Sequence, residues 1–459
     1  MSLAPYANEE FLDEEQPRQE PAKEKSAVGV LVLILLLLLC STTLATFVSL
    51  LQGGRVSSIL NSTGSVAMTA AGERVAEITR YVVPAGLLLI TMRYIRGTHR
   101  RAGSLLIVYA ALAALQLSTW EHTGEFTSQG LGPVITIALA ATAVWAVSPT
   151  WRDARAVGWA GAGVAAFSLG FATISSKGWW VAPNDESKAF IGDRVLAGPF
   201  SQMNPLGMSL AICLPFTLLI ENKVLRVLAF TITAFALFLT ASRTAVIAAA
   251  AAVILGLIFA VTKRSAKSRR YVFLGAGVLG IGITALVPYL TTDPTAFTNR
   301  GRIWLASTPF WKDNVWLGLG EYSIDGDISR FLKYFAPHAH NLFIQTMTTG
   351  GLLLLGLLTL MFIIMFRSSY KILHKNSALA LGFITMLVLG IAEVPFRFEV
   401  FDSAAWATWA VLIICLIARV PDEDTYRSPT GDDGSDVPGG PDDGDDPTPS
   451  RTDFTTPVN

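Results

Sequence analysis

The feature that most constrains this chain is a series of apolar runs, most of them about 15–20 residues long. A helix of about 20 residues is needed to cross a bilayer core of ~30 Å. With 52% hydrophobic and only 15% charged residues, the chain is too apolar for a soluble multidomain protein. We therefore predict an all-α polytopic membrane protein with about twelve transmembrane helices, at residues 28–51, 76–92, 103–119, 131–147, 156–174, 205–220, 225–239, 244–261, 271–290, 341–366, 378–394 and 403–419.

Charge is distributed unevenly between the two tails and the membrane body. Residues 1–27 hold seven acidic and three basic residues, and residues 420–459 hold eleven and two, which leaves +13 on residues 28–419. Both tails are polar, acidic and proline-containing, so we expect them to be disordered. Acidic residues before the first span are not typical of a cleavable signal peptide, so this span is predicted to remain as an anchor.

The loops predict an orientation in the membrane. Five short loops carry 16 Lys and Arg in about 40 residues, whereas the six loops on the other side carry about 12 in roughly 120. Because basic loops stay in the cytoplasm, both termini are predicted to be cytoplasmic. The long loop 291–340 then lies on the outer face, together with Arg243 and His340.

An arginine interrupts an otherwise apolar stretch of about 37 residues at Ser242-Arg243. An arginine at the bilayer centre costs about 2.5–3.5 kcal/mol on insertion, and less near the interface. Such a residue usually faces a cavity and binds an anion. The alternative is a turn arginine whose side chain extends to the lipid headgroups.

Two further arginines, Arg300 and Arg302, lie in the outer loop where helical character resumes. Paired guanidinium groups bind phosphate or pyrophosphate through parallel hydrogen bonds. Solvated loop arginines are the competing interpretation. The same loop holds aromatic rings that suit either sugar stacking or the membrane interface, namely Trp304, Trp311, Trp316, Tyr322, Tyr334 and Phe335.

Two histidines, His338 and His340, directly precede the tenth predicted span. Imidazole groups, which titrate near pH 6.5, suit proton abstraction around neutral pH. A zinc site formed with Asp325 and Asp327 is a weaker hypothesis, because His-x-His with distant carboxylates is a poor metal signal. Charged residues at the end of the last hairpin either shape the same site or pair with one another; these are Glu393, Arg397, Glu399 and Asp402.

Several short motifs, taken in order, resemble those of the O-antigen ligase and polymerase family. The resemblance covers roughly residues 190–420 and includes the long outer loop before the histidine span. The motifs are Gly198-Pro199-Phe200 with Asn204, Ser242-Arg243-Thr244, Gly301-Arg302-Ile303-Trp304, Gly318-Leu319-Gly320, and His340-Asn341 with Gln345 and Gly350.

The resemblance implies a GT-C-like membrane glycosyltransferase. Such enzymes transfer a glycan from undecaprenyl pyrophosphate to an acceptor hydroxyl at the outer face of the bacterial cytoplasmic membrane, with inversion and without a cofactor or essential metal. Carried over, Arg243 and Arg302 bind the donor pyrophosphate and His340 accepts the proton of the acceptor hydroxyl. His338, Asn341, Arg300 and Asn204 are candidates for supporting roles.

Several functions share these features. A ligase and a repeat-unit polymerase differ only in the acceptor, which is a glycan, a lipid or a protein. A flippase or transporter would use the same arginines along a translocation pathway, but such proteins commonly show internal repeats or broken helices in matching halves, and none is found here. A cell-wall polymerase of the shape–elongation–division type is a further alternative, although no equally placed outer-loop aspartate stands out.

Overall fold

The structure is a computed structural model that describes residues 26–53, 66–95, 102–124, 128–180, 189–190, 192–262, 265–322 and 338–420. Fourteen α-helices lie in these segments. They are α1 (Val28–Leu39), α2 (Ala45–Gly53), α3 (Ala70–Tyr94), α4 (Gly103–Thr123), α5 (Ser128–Val147), α6 (Arg155–Ile174), α7 (Met203–Cys213), α8 (Lys223–Leu239), α9 (Arg243–Val261), α10 (Ala266–Leu290), α11 (Ala296–Asp313), α12 (Leu342–Ile372), α13 (Ala378–Ala392) and α14 (Ala405–Ile417).

Short elements complete the described fold. A π-helical turn, Cys40–Leu44, joins α1 to α2, so the first predicted span is one continuous helix. A 3₁₀ segment, Leu214–Leu219, extends α7. Strands β1 (Trp179–Trp180) and β2 (Val195–Leu196) form an antiparallel hairpin before α7. Both predicted disordered tails lie almost entirely outside the described residues.

The all-α multi-pass membrane class is confirmed. In the described part of the chain, seven helical segments are long and apolar enough to cross a membrane, and four shorter apolar helices accompany them. Each of the twelve predicted spans coincides with a described helix, but α8 meets neither criterion, so the number twelve stays a prediction. The predicted long polar loop contains helix α11, which is regular from Arg300 onwards, where the sequence indicates that helical character resumes.

Helices α13 and α14 form the centre of the bundle. Nearly every residue of both is buried, including Trp406 and Trp409. A helix that is apolar on all sides suits such a central position. Helix α10 differs, because large apolar side chains such as Val278 and Leu279 are more than half exposed, as expected for a helix that faces lipid.

Helix α12 is kinked where a loop packs against it. Gly351 adopts φ 58° and ψ −156°, so the helix is interrupted at this one residue. Residues 315–319 of the long loop satisfy the freed backbone groups: Leu319 N–H donates to Thr348 O at 2.7 Å, and Leu352 N–H donates to Val315 O at 2.8 Å. A Cβ added to Gly351 would lie 2.4 Å from the carbonyl carbon of Trp316, so only glycine fits there.

Candidate functional site

A large polar cavity lies where α7, α9 and α14 begin and α13 ends. Its volume is about 920 Å³. Four arginines, two histidines and two acidic residues line it, namely Arg243, Arg300, Arg302, Arg397, His338, His340, Glu393 and Asp402. The cavity also contacts the loop before α7, through Trp180, Ser201, Gln202 and Asn204.

Helix N-termini surround this cavity. Residues at or next to the starts of three helices line it: Met203 of α7, Arg243 of α9 and Ala404 before α14. A helix N-terminus carries roughly half a positive charge and unpaired N–H groups. Together with the arginines, these dipoles favour an anionic ligand.

Arg243 is the first residue of α9 and follows a tight turn after α8. Ala241 in this turn adopts φ 49°, a conformation that non-glycine residues seldom take. A Cβ on Gly207 of α7 would lie 2.7 Å from the side chain of Ser242, so α7 packs closely against the turn. The Arg243 side chain is exposed to the cavity, and it makes no hydrogen bond or ion pair with any described residue.

Arg300 and Arg302 follow a left-handed turn at the start of α11. Phe297, Thr298 and Asn299 have φ of 53°, 60° and 68°. The two arginines then differ in their partners. Arg300 forms an ion pair with Glu393, whereas Arg302, like Arg243, is exposed and has no side-chain partner in the described part of the chain.

His340 is held next to a carboxylate. Its Nδ1 lies 3.3 Å from Oε2 of Glu393, and its backbone φ is 49°. Since a carboxylate only accepts, Nδ1 carries the proton and Nε2 is left as the basic nitrogen. The His340 N–H donates to His338 Nδ1 at 3.3 Å, and the ring centroids of the two histidines are 3.9 Å apart.

The surroundings of Glu393 and His338 shift the pKa values of both groups. Burial by itself raises the pKa of Glu393, but the positive charge of Arg300 and the interaction with His340 outweigh it, so the pKa lies below the usual range. Burial, and then the nearby charges of His340 and the arginines, holds the pKa of His338 well below its usual value. Glu393 is therefore an anion and His338 is neutral at pH 7.

His338, His340 and Glu393 also form a cluster with possible metal ligands. Their ligand atoms all lie within 4.8 Å of one another. Arg300 already neutralises the carboxylate, however, and three more arginines line the same cavity. A divalent cation would meet strong repulsion here. Asp325 and Asp327, the other ligands considered, lie outside the described residues.

The structure brings most of the candidate residues together. Those that line the cavity are Arg243, Arg302, His340, His338, Arg300 and Asn204. Asn341 does not line it, because its side chain is fully buried. Its Nδ2 donates to the carbonyl oxygens of Thr284 and Ile391, both at 3.0 Å, and its Oδ1 caps α12 by accepting from Ile344 N–H.

Two of the aromatic rings proposed for sugar stacking are unavailable. Trp304 and Tyr322 are fully buried in a small core beneath α11. Trp304 Nε1 donates to the carbonyl oxygen of Ala339 at 2.9 Å. This hydrogen bond connects α11 to the segment that holds His338 and His340. Tyr334 and Phe335 lie outside the described residues. The cavity instead places Trp180, which the sequence did not single out, in its wall.

Comparison with known protein families gives one match. The family model described as O-antigen ligase matches residues 228–359, a narrower range than the predicted 190–420. No curated protein and no solved structure gives a significant match. The matched segment includes Arg243, Arg302 and His340, and the family is one of membrane glycosyltransferase-like proteins that use lipid-linked glycans. The chain is thus a multi-pass membrane protein in which residues 228–359 are similar to the O-antigen ligase family.

Proposed function

We propose that this protein transfers a glycan from an undecaprenyl-pyrophosphate carrier to an acceptor hydroxyl. One observation carries the proposal: two arginines without partners among the described residues share a cavity with an imidazole bound to a carboxylate. This cavity lies in a membrane helix bundle with an O-antigen ligase domain. Ligase and repeat-unit polymerase activity both fit, because the cavity does not identify the acceptor.

Arg243 and Arg302 would bind the donor pyrophosphate. When the glycosidic C1–O bond breaks, its electron pair passes to the phosphate oxygen, where negative charge grows. Guanidinium groups held in a cavity with helix N-termini stabilise that charge without a general acid. Arg300 is less suited to this role, because Glu393 already occupies it.

His340 would activate the acceptor. Its Nε2 takes the proton from the acceptor hydroxyl while the oxygen attacks C1 from the face opposite the leaving group, which inverts the anomeric centre. Glu393 fixes the tautomer and stabilises the imidazolium that forms, as an orienting carboxylate does in other His-based sites. The ion pair with Arg300 keeps Glu393 ionised for this purpose.

The proposed reaction needs no metal ion. A divalent cation at His338, His340 and Glu393 would occupy the proton acceptor itself and would stand among four arginines. The protein's own cations supply the charge that a metal would otherwise provide.

The decisive experiment is transfer in vitro by purified protein. The donor is an undecaprenyl-pyrophosphate oligosaccharide from the host, and the buffer contains EDTA. Wild type should transfer, and Arg243→Ala, Arg302→Ala and His340→Ala should not. Arg194→Ala is the matched control, since Arg194 is an exposed arginine that pairs only locally with Asp193. Loss of transfer with EDTA, or donor binding without transfer by folded wild type, would contradict the proposal and favour a metal enzyme or a flippase, respectively.

We also propose that the cavity opens at the outer face of the cytoplasmic membrane, with both termini inside. The basic short loops support this orientation. Single cysteines placed at Arg194 and Lys371, in a background without Cys40, Cys213 and Cys415, test it. An impermeant maleimide added to intact cells should label position 194 and leave position 371 unlabelled; the reverse pattern would overturn the orientation.

A further inference from the structure

A chain of buried hydrogen bonds leads from the backbone before His340 to an arginine in the cavity wall. Ala339 N–H donates to Gln345 Oε1 at 2.7 Å, and Gln345 Nε2 donates to Glu399 Oε1 at 2.6 Å. Arg397 Nε donates to the same carboxylate oxygen at 3.2 Å. Ala339, Gln345 and Glu399 are almost inaccessible to solvent, so each of these bonds lies in a low-dielectric environment where it is strong.

Only one kind of side chain satisfies this arrangement at position 345. The backbone N–H of Ala339 requires an acceptor, and the carboxylate of Glu399 requires a donor. An amide supplies both, and its orientation is then fixed, with the oxygen towards Ala339 and the nitrogen towards Glu399. A buried polar group without its partner costs about 1–3 kcal/mol, so the pair specifies one geometry.

These hydrogen bonds constrain the backbone of His340. Its left-handed backbone is strained, and such conformations persist only where the surroundings over-determine them. Ala339 is fixed on both sides, because its N–H is bound by Gln345 and its carbonyl oxygen accepts from Trp304 of α11. The direction in which the chain enters His340 is therefore set by groups outside the cavity.

We propose that Gln345 and Glu399 are positioning residues that hold His340 in its strained conformation and tie it to Arg397 in the cavity wall. This inference rests on the proposed function, in which His340 accepts the acceptor proton. The distance from His340 Nε2 to the acceptor then depends on two residues that do not line the cavity. A purely structural role would instead stabilise the bundle without changing the imidazole.

A polarity swap separates these two roles. Gln345→Glu removes the donor to Glu399 and places two carboxylates against each other, which disfavours the charged pair. The double variant Q345E/E399Q restores the bond between positions 345 and 399 with its polarity reversed: the amide at 399 donates to the carboxylate at 345, which still accepts from Ala339 N–H. The bond from Arg397 Nε to the same Glu399 oxygen is lost in this variant, and Arg397 keeps Asp402 as a carboxylate partner. The total charge and the side-chain sizes are those of the wild type.

The kinetic test uses the transfer assay with full-length protein. We expect Q345E to lower kcat roughly 10- to 100-fold, as small displacements of a catalytic group do, with the donor KM changed by less than about twofold. Q345E/E399Q should recover most of the lost kcat, because the two changes act on one bond. The control is Ser369→Ala, on the same helix, whose hydroxyl donates only to Met365 O one turn away; it should behave as wild type.

A second readout does not depend on transfer. Diethyl pyrocarbonate modifies unprotonated imidazole, and peptide mass spectrometry gives the rate at His340 separately from His338. Q345E should change the His340 rate, and the double variant should return it to the wild-type value. If wild type shows no transfer but this pattern holds, the proposed function fails and the positioning role stands.

Other outcomes overturn the positioning role. It is wrong if Q345E keeps the wild-type kcat and labelling rate, or if a folded double variant recovers neither. Should Q345E not fold, the double variant alone decides: wild-type-like kcat supports the role, and a folded protein with low kcat refutes it. Melting temperature and monodispersity in detergent establish folding in each case.

Discussion

Removal of Arg243 or Arg302, neither of which pairs with a described side chain, should weaken donor use far more than removal of Arg194. Among the described residues, neither Arg243 nor Arg302 has a side-chain partner, so no described side chain competes with a ligand for their donors. Hydrogen bonds to charged groups contribute about 1.5–3 kcal/mol each. At about 1.4 kcal/mol per factor of ten, Arg243→Ala or Arg302→Ala should lower kcat/KM for the donor roughly 10- to 150-fold.

Loss of either arginine should affect kcat/KM and donor affinity to different extents. Because charge on the leaving phosphate grows in the transition state, kcat/KM should fall more than donor affinity does. Lysine at either position keeps the charge but loses the paired hydrogen bonds, so Arg243→Lys and Arg302→Lys should be intermediate. The two arginines would bind one pyrophosphate, so the double variant should lose less than the product of the single losses.

Arg300→Ala should behave differently, because it would leave the buried Glu393 anion with the His340 imidazole as its remaining partner among the described side chains. We expect a lower melting temperature together with lower kcat. The assay is initial rate against donor concentration, with donor Kd measured in parallel. A kcat/KM within about twofold of Arg194→Ala for either Arg243→Ala or Arg302→Ala would refute the pyrophosphate assignment.

Three further predictions follow from individual side chains. His340→Ala should lower kcat by about 10²–10⁴ while donor binding persists; unchanged kcat would exclude it as the base. Because the pKa of His338 is lowered in the folded protein, the unfolded chain binds more protons, and the melting temperature should fall as pH drops below about 6.5. His338→Gln should reduce that slope, and an equal slope would contradict it. Gly351→Ala should destabilise the protein by at least about 1–3 kcal/mol of backbone strain, whereas Gly356→Ala, where nothing lies within 4 Å, should not destabilise it; equal melting temperatures would be inconsistent with the kink.

The sequence predicts the positions of the long apolar helices well because their length and hydropathy are those of helices that cross an apolar medium. Lipid leaves no alternative for the backbone, so length and hydropathy fix the positions of the spans. The short turn at Thr240-Ala241-Ser242 was predicted for the same reason, since two apolar runs meet there. Only the beginning of helix α11 was predicted, at Arg300 and Arg302, because the rest of its sequence is polar enough to resemble a loop.

The site was predicted only in part. Arg243 stood out because charge is costly in an apolar run, and the two histidines stood out because they precede a span. The difference between Arg300 and Arg302 could not be predicted, since it depends on a carboxylate 93 residues away that pairs with one of them. Nor does any local pattern show that Gln345 contacts Glu399, because the bond joins distant parts of the chain.

The strained turn before α11 leads to a last prediction. Thr298 has φ 60°, which is a genuine outlier for a β-branched residue, and its side chain is exposed in the cavity wall, so few packing contacts offset the strain. Thr298→Gly should therefore relieve about 1 kcal/mol or more in the folded state, although glycine also makes the unfolded chain more flexible. If the strained turn fixes the direction of Arg300 and Arg302, the variant should lose kcat/KM without losing melting temperature.

Asn299→Gly is the matched control, because asparagine tolerates the left-handed region and less strain is available to relieve. A folded Thr298→Gly protein with wild-type kcat/KM would show that the turn is not needed to aim the arginines. A melting temperature well below that of Asn299→Gly would show that Thr298 makes a stabilising contact that outweighs its backbone strain. Left-handed residues also precede or form the other two functional positions, at Ala241 and His340. A glycine substitution at Ala241 would test that position in the same way. At all three places a strained backbone lies next to a group that would bind or react.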